Sequence, residues 1–331
     1  MSKPVIAVIG GGSWATALVK IFSNNVDTIH WWVRSADTAD FISKYRHNPN
    51  YLSDVEINLD KVRISNDLKK TIASSDIIIL AVPSAFLKPT LEKIKADDFK
   101  NKTVFSAIKG IIPDDLLIIG DFLRQKLSIP LNKIGVITGP CHAEEVAMER
   151  LSYLTIASTD TTTATTLAML MNCRYIKTLV SDDIYGTEYS AVLKNVIAIA
   201  SGICHGVGYG DNFQAVLISN AIREIDRFVS VVHPISRDIN DSAYLGDLLV
   251  TAYSSFSRNR MFGTMIGKGY SVKFAQLEMN MIAEGYYATN CIYELNKKHN
   301  IYMPITSAVY HVLYEKIAPR IEMKLLSDQL S

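Results

Sequence analysis

The stretch PVIAVIGGGSWATALVKIF, residues 4–22, decides the fold of the first half of the chain. Val5–Ile9 is a continuous apolar run, as in a parallel strand that is covered on both faces. Three glycines and the apolar spacing of a helix follow it. Gly10, Gly12 and Ala15 match GxGxxA, a variant of the dinucleotide-binding fingerprint. Backbone N–H groups at a helix start favour an anion, so the stretch predicts a phosphate-binding turn, the alternative being an ordinary βα turn.

Length and composition limit the class of protein. The 331 residues suit two domains, and a composition of 48% hydrophobic and 20% charged residues with a net charge of +1 predicts a large core and no nucleic-acid partner. The four cysteines are widely spaced, without a CxxC pair or a Cys/His cluster, so we expect free thiols, a reducing compartment and no metal. The first strand begins by residue 4 and no uncharged apolar stretch reaches about 18 residues, so we expect a cytoplasmic protein without a signal peptide or membrane span.

The order of apolar patterns predicts the architecture. Strands that are separated by helices indicate parallel βαβ units in a doubly wound, Rossmann-type sheet. After about residue 182 the patterns become helical throughout, so the fold class is α/β, with a dinucleotide-binding domain at 1–183 and an all-helical substrate and catalytic domain at 184–331. Further strands are predicted near Thr28–Val33, Val62–Ser65, Asp76–Val82, Thr103–Ile108, Ile134–Thr138, Leu154–Ser158 and Tyr175–Val180, and the later helices at Gly186–Gly206, Asn212–Val231, Asp241–Tyr253, Ala283–Lys298 and Ile305–Ile317.

Residues that directly follow the strands are candidate ligand contacts, because ligands of a doubly wound sheet lie beyond the carboxyl ends of its strands. Arg34 follows the second strand, where an NAD-specific site often has Asp or Glu. It suits the 2′-phosphate of NADP or stacking on adenine, and a solvated surface residue is the alternative. Lys109 follows the fifth strand, as a ligand contact or a charged loop residue. Glu144 and Glu145 lie in the first turn of a helix and are expected to be structural.

The helix predicted at Gly186–Gly206 is apolar nearly all round, apart from a narrow face of small residues that holds Lys194. Such a lysine either reaches solvent at an edge or points into a polar cavity, which its small neighbours favour. Burial lowers a lysine pKa from about 10.4 and a carboxylate partner raises it, so the balance can yield a general acid for carbonyl reduction. We predict that Lys194 is catalytic and that Asp247 is its partner, or else caps its own helix. His205 shares the face but lies about 16 Å along it, too far to assist.

Residues 257–260, SRNR, place hydroxyl, guanidinium and amide donors close together. Such donors suit a phosphate, and a solvated basic turn is the alternative. The glycines that follow, Gly263, Gly267 and Gly269, predict a winding loop rather than a regular helix.

Taken together, these motifs resemble the bacterial NAD(P)-dependent glycerol-3-phosphate dehydrogenases. The resemblance spans nearly the whole chain in order and is most specific in LKNVIAIASGI and in the GDL and SRN pair. The matching segments are GGGSWATAL (10–18), VPS (82–84), AIKG (107–110), GPCHAEEVA (139–147), GTEYSAVLKNVIAIASGI (186–203), GDN (210–212), LGDLLVT (245–251), SRNRMFG (257–263) and AEG (283–285).

The resemblance implies reversible reduction of dihydroxyacetone phosphate to sn-glycerol 3-phosphate with NADP or NAD, for phospholipid synthesis. It implies that Lys194 is the proton donor or acceptor and that Lys109 contacts both substrate and cofactor; from the residues themselves we expect Lys109 and Asp247 to assist Lys194 in catalysis. With Asn195 beside the lysine, the expected substrate-binding residues are Lys109, Gly139, Cys141, Lys194, Asn195, Asp247, Ser257, Arg258 and Asn259. With the glycines of the turn, the expected cofactor-binding residues are Gly10, Gly12, Ser13, Trp14, Arg34, Lys109, Ala143, Arg258, Ile282 and Glu284. We also expect a homodimer.

The chain departs from the family pattern at two places. Ala15 replaces the usual glycine, which the fingerprint tolerates, and Cys141 and His142 replace the more usual Ser and Phe. Residue 141 would therefore bind through its backbone or a weak S–H donor. The rival enzyme class is a β-hydroxyacid or ketopantoate reductase, with a carboxylate site instead of a phosphate site. A nucleotide-sensing regulator that has lost its chemistry is the other alternative, and it would be expected to lack Lys194 or Asp247.

Overall fold

The structure, a computed structural model, describes residues 3–279 and 283–331, so the predicted cofactor contact Ile282 lies outside the described residues. The chain forms two compact units. The first unit comprises Met1–Ile108 and Ile119–Ile184, and the second comprises Lys109–Ile118 and Tyr185–Ser331. The second unit thus includes Lys109–Ile118, which lies within the range 1–183 that we assigned from sequence to the first domain.

Ten strands lie in the described part of the chain, eight of them in one sheet of the first unit. They are β1 (Ile6–Ile9), β2 (Ile29–Trp32), β3 (Val62–Ser65), β4 (Ile77–Leu80), β5 (Thr103–Ser106), β6 (Ile111–Ile112), β7 (Leu117–Ile118), β8 (Ile134–Thr138), β9 (Ser152–Ala157) and β10 (Ile176–Ser181). The helices of this unit are α1 (Ser13–Phe22), α2 (Ala36–Tyr45), α3 (Leu68–Ala73), α4 (Ser84–Leu91), α5 (Ile119–Leu127), α6 (Ala143–Ala147) and α7 (Thr161–Met171).

The large sheet has the order β10-β9-β8-β5-β4-β1-β2-β3. All neighbouring strands from β8 to β3 are parallel, which confirms the predicted doubly wound sheet. The predicted parallel βαβ pattern does not continue from β8 to β9, which runs antiparallel to β8 and parallel to β10. The connection between them contains only α6, whose five residues do not carry the chain back along the sheet as a βαβ crossover requires.

The first unit folds around an apolar layer between the sheet and its helices. All four residues of β1 and of β4 are buried, because these central strands are covered on both faces. Helix α1 begins at Ser13, directly after the three glycines, and buries most of its length. The strand order reverses between β1 and β4, so the glycine turn lies at the topological switch point of the sheet.

Among its described residues, the second unit has helices and one short antiparallel pair, β6 with β7, which we did not predict. Its helices are α8 (Ile184–Val207), α9 (Asp211–Val232), α10 (Asp247–Tyr253), α11 (Arg258–Gly267), α12 (Val272–Glu278), α13 (Glu284–His299), α14 (Pro304–Leu313) and α15 (Pro319–Ser327). A π-helical turn, Ser242–Gly246, leads into α10. An all-helical second half is therefore confirmed for the region after Tyr185.

Helix α8 is the central helix of the second unit. Among the described residues it is the helix with the length and apolar composition of a membrane span, but 83% of its most apolar window is buried inside the protein. Such burial is typical of a core helix. Its flanking helices contribute large buried side chains, including Phe228 of α9 and Phe262 of α11.

Helices α8 and α11 approach each other backbone to backbone. A Cβ on Gly202 would lie 2.1 Å from the Arg260 carbonyl oxygen, and one on Gly263 would lie 2.2 Å from the Ile199 carbonyl oxygen. Gly206 and Gly267 meet one turn farther along. The predicted loop is therefore wrong for Gly263 and Gly267, which lie in the regular helix α11 and permit its close packing on α8, whereas Gly269 lies in the turn after α11 with φ +95°.

Candidate functional site

The glycine turn exposes the start of α1. Gly10 has φ +142°, and a Cβ there would lie 2.4 Å from the Ala81 carbonyl oxygen, so this position requires glycine. Gly12 is the N-cap of α1, and a Cβ there would meet no atom within 4 Å. The first turn of α1 has no acidic residue. The open space and the positive end of the helix dipole fit a phosphate group.

Trp14 adds a polar group to the turn. Its indole Nε1 is buried and has no hydrogen-bond partner among the described residues. A buried donor without an acceptor carries a desolvation penalty, which a bound acceptor removes. Ser13, the first residue of α1, is also buried. The turn therefore fits a phosphate-bearing cofactor by its space, its dipole and an unsatisfied donor.

The other predicted contacts of the first unit also follow strands. Arg34 is exposed after β2, directly before Ser35, which caps α2 by accepting a hydrogen bond from the Thr38 N–H. Gly139 has φ +107° after β8, and a Cβ there would lie 2.9 Å from the Tyr153 carbonyl oxygen. Cys141 is half-buried, and Ala143 is the first residue of α6.

In the second unit, three charged side chains form a cluster, the Lys–Asp–Lys triad. Lys109 Nζ lies 3.1 and 3.2 Å from the two carboxylate oxygens of Asp247, and Lys194 Nζ donates to Asp247 Oδ1. Lys194 is 5% exposed and Asp247 is 1% exposed. Lys109 precedes β6, whereas Lys194 and Asp247 lie on α8 and α10, so three separate segments build the cluster. The sequence left two interpretations of Lys194, and the structure excludes the one in which its amine reaches solvent.

Thr251, which was not predicted from the sequence, extends the triad. It lies one helical turn after Asp247 on α10, where its hydroxyl donates to the Asp247 carbonyl oxygen over 2.6 Å. The same hydroxyl accepts a hydrogen bond from Lys194 Nζ over 2.9 Å. Because its one hydrogen points to the backbone, its lone pairs face the amine. The spacing of four residues from Asp247 was the available signal.

Burial and the neighbouring charges shift the acidities of the triad. Burial lowers the pKa of Lys194 from 10.5 to about 7; the Asp247 carboxylate opposes this effect and the Lys109 ammonium adds to it. Burial alone would raise the pKa of Asp247, but the charges of Lys109 and Lys194 outweigh it and lower that pKa. The carboxylate therefore stays ionised at neutral pH, while Lys194 has both its charged and its neutral form available there.

The remaining predicted residues of the second unit surround the start of α11. Ser257 is the N-cap of α11 and accepts a hydrogen bond from the Arg260 N–H, so 257–260 is a capped helix start and not a loop. Asn259 Oδ1 accepts a hydrogen bond from the Gly285 N–H over 2.9 Å. Arg258 is half-buried in the first turn of this ten-residue helix, and Glu284 begins α13. Helix N–H groups and a guanidinium at one position suit an anion.

Asn195 connects the triad with the start of α11. Its Nδ2 donates to the Lys109 carbonyl oxygen over 2.7 Å, so this amide holds the backbone of the second lysine. The main-chain carbonyl oxygen of Asn195 lies 2.5 Å from the position that a Cβ on Gly285 would occupy. Because Gly285 donates to Asn259, one chain of contacts runs from Lys109 to Asn259.

Comparisons with known proteins agree over both units. The family model for the N-terminus of NAD-dependent glycerol-3-phosphate dehydrogenase matches residues 5–164, and the model for its C-terminus matches residues 183–324. A glycerol-3-phosphate dehydrogenase (NAD(P)+) of Staphylococcus carnosus (strain TM300) is 34% identical over 327 residues, 98% of each chain. The enzyme of the same name from Bacillus subtilis (strain 168) is 33% identical over 320 residues, 96% of this chain and 92% of its own.

A solved structure shows the same similarity. The crystal structure of glycerol-3-phosphate dehydrogenase from Coxiella burnetii superposes with a TM-score of 0.91 at 29% sequence identity, over 98% of both chains.

Proposed function

Because this chain belongs to the NAD-dependent glycerol-3-phosphate dehydrogenase family, we propose that it interconverts dihydroxyacetone phosphate and sn-glycerol 3-phosphate, with Lys194 as the proton donor and acceptor. The observation that carries this proposal is the Lys–Asp–Lys triad, in which a buried amine has a pKa near neutrality. A general acid works best when its pKa lies near the working pH. Reduction of a carbonyl needs that acid, and oxidation of the alcohol needs the same group as a base.

Each member of the triad has a separate task in this proposal. Lys194 gives its proton to the C2 oxygen, while the Lys109 ammonium stabilises the negative charge that develops there. Asp247 holds both amines in place and accepts one hydrogen of Lys194, and Thr251 accepts a second, which leaves the third hydrogen of the ammonium to aim at the substrate. With both amines protonated the triad has a net positive charge, which suits an oxyanion.

The residues of the first unit fit the cofactor. The turn at Gly10 and Gly12, with Ser13 and Trp14, would hold the diphosphate, and Arg34 would hold the adenosine end. When bound, the nicotinamide supplies or removes the hydride at C2. Since a positive Arg34 stands where NAD-specific sites have a carboxylate, it favours NADP. Lys109, Ala143, Arg258, Ile282 and Glu284 are the remaining proposed contacts.

The start of α11 fits the phosphate of the substrate. Arg258 offers a planar guanidinium and Asn259 an amide, beside the N–H groups of a capped ten-residue helix. Binding energy at this remote group would position the small reacting end at the triad. Gly139 and Cys141 are proposed as further substrate contacts, together with Asn195 and Ser257.

We also propose residues 1–183 as the cofactor domain and 184–331 as the substrate domain of a cytoplasmic homodimer that provides glycerol 3-phosphate for phospholipid synthesis.

Substrate comparison tests the proposed activity. Initial rates with NADPH are compared for dihydroxyacetone phosphate, free dihydroxyacetone and ketopantoate. Because charge-assisted hydrogen bonds to the phosphate are lost with the free triose, its kcat/KM should be lower by about 10²-fold or more. Arg258→Ala should reduce the ratio of kcat/KM for dihydroxyacetone phosphate to kcat/KM for free dihydroxyacetone. Arg320→Ala, which replaces an exposed arginine of α15, should leave this ratio unchanged. Faster reduction of ketopantoate than of the triose phosphate would refute the proposal and indicate a carboxylate site.

A further inference from the structure

The carbonyl groups of the glycine turn are each held by a buried side chain. Trp31 Nε1 donates to the Gly10 carbonyl oxygen over 2.7 Å, and Asn48 Nδ2 donates to that of Gly11 over 3.0 Å. The Thr16 hydroxyl donates to the Gly12 carbonyl oxygen over 3.0 Å. Trp31, Asn48 and Thr16 are all 0% exposed. The side of the turn that faces the protein is therefore saturated with donors.

The geometry of the peptide bond determines what the opposite side offers. In a planar trans peptide the C=O of one residue and the N–H of the next point in opposite directions. Holding the carbonyls of residues 10–12 toward the interior therefore turns the N–H groups of Gly11, Gly12 and Ser13 outward. None of these three N–H groups donates to an acceptor among residues 3–279 and 283–331. Space beside the turn is open, since a Cβ at Gly12 would meet no atom within 4 Å.

Asn48 is the central member of this set. Its second amide hydrogen goes to Thr16 Oγ1 over 2.9 Å, and its Oδ1 accepts from the Asn50 N–H over 3.0 Å. The orientation of the amide is therefore determined, since the reverse orientation would place oxygen against oxygen at Gly11 and N–H against N–H at Asn50. Thr16 Oγ1 accepts from Asn48 and donates to Gly12, so the hydrogen bonds run in one direction from Asn48 through Thr16 to the turn.

We propose that Asn48 is a positioning residue for the cofactor diphosphate: through Gly11 and Thr16 it aims the N–H groups of the glycine turn at the phosphate oxygens. The inference rests on the proposed function, because it assigns the anion of this turn to a nicotinamide dinucleotide. Asn48 lies in the irregular segment between α2 and β3, far in sequence from the turn. It forms no part of the GxGxxA pattern.

Neutral substitutions test the proposal without adding a charge near the phosphates. Asn48→Leu removes both amide donors at similar volume, and Thr16→Val removes the hydroxyl while leaving Asn48 in place. The control is Asn25→Leu, because Asn25 Nδ2 also donates to two backbone carbonyls, those of Leu170 and Asn172, elsewhere in the first unit. Melting temperatures of all variants are recorded with the binding data.

Binding is measured by calorimetry with ADP-ribose, which contains the diphosphate, and with adenosine 2′-monophosphate, which does not. Asn48→Leu and Thr16→Val should each raise the Kd of ADP-ribose by about tenfold to a hundredfold, the value of one or two hydrogen bonds to a charged group. The Kd of adenosine 2′-monophosphate should change by less than about twofold. Asn25→Leu should change neither Kd, even if its melting temperature falls as much as that of Asn48→Leu.

The possible failures are distinguishable. If wild-type protein binds neither ADP-ribose nor NADPH, the proposed function fails. If the wild-type protein binds them but Asn48→Leu binds ADP-ribose equally well, Asn48 has no positioning role while the proposed function stands. An equal loss of affinity for both probes would show a general structural role and overturn the inference. If Asn48→Leu does not fold, Thr16→Val decides between the same outcomes.

Discussion

Replacement of Lys194 by Met tests the energetics of the triad as well as its chemistry. Lys109 Nζ remains within 3.2 Å of both Asp247 carboxylate oxygens, so the carboxylate keeps a partner when the other amine is removed. Asp247→Asn has the opposite consequence, because it removes the buried carboxylate that the two ammonium groups share. The two variants should therefore change the free energy of unfolding in opposite directions.

The magnitude follows from the pKa of the buried amine. The decrease from 10.5 to about 7 corresponds, at roughly 1.4 kcal/mol per unit, to a cost of roughly 5 kcal/mol for the charged form in the fold. That cost already includes the attraction of Asp247, and the lost hydrogen bond to Thr251 offsets part of it, so we expect Lys194→Met to raise the free energy of unfolding by about 1–4 kcal/mol. Asp247→Asn should lose about 3–5 kcal/mol. Turnover of Lys194→Met should fall by about 10³-fold or more, since a proton donor and a stabilising charge are both removed.

The assay is urea unfolding at about pH 7, followed by circular dichroism, together with steady-state rates and NADPH binding. NADPH affinity should stay within about threefold of wild type, since the phosphate-binding turn belongs to the first unit. A Lys194→Met protein that is less stable than wild type by more than about 1 kcal/mol would contradict the burial argument. Retention of more than about a tenth of the turnover would contradict the catalytic assignment.

Three further measurements follow from the structure. With a Lys194 pKa of about 7, the ammonium form is lost as pH rises, so the rate of ketone reduction should fall and that of alcohol oxidation should rise through about pH 7, in saturating initial-rate profiles. Arg34→Ala should raise the KM for NADPH about tenfold or more and leave that for NADH within about twofold, as steady-state kinetics will show. Gly263→Ala, which places a Cβ 2.2 Å from the Ile199 carbonyl oxygen, should lower the free energy of unfolding by about 3 kcal/mol in urea titrations; Gly210→Ala, where a Cβ meets no atom within 4 Å, should not.

The sequence predicted features that depend on local patterns. The strand, glycine turn and helix at residues 4–22 could be predicted because apolar periodicity and glycine spacing are local properties. The doubly wound sheet followed from repetition of that pattern. Lys194 and Asp247 were found because charged residues in apolar helices are conspicuous, and the structure places them in contact, although their roles in the reaction stay predictions.

The features that were missed depend on contacts between distant segments. Gly263 and Gly267 suggested a loop because a glycine that permits close helix packing is identical in sequence to one that permits a turn. The contribution of residues 109–118 to the second unit has no local signal. Asn48 lies in an irregular segment, and its contact with Gly11 exists only after the chain has folded.

The glycine contacts between α8 and α11 also fix the distance between these two helices of the second unit. Lys194 is on α8, whereas Arg258 and Asn259 are on α11, and the two helices touch through main-chain atoms. Side chains can adopt other rotamers to accommodate a longer or shorter molecule, but a backbone contact of this kind cannot slide or expand. The spacing of the two main chains is thus fixed, and under the proposed function a substrate homologue with one extra carbon could be accommodated only by rotamer changes of Lys194 or Arg258.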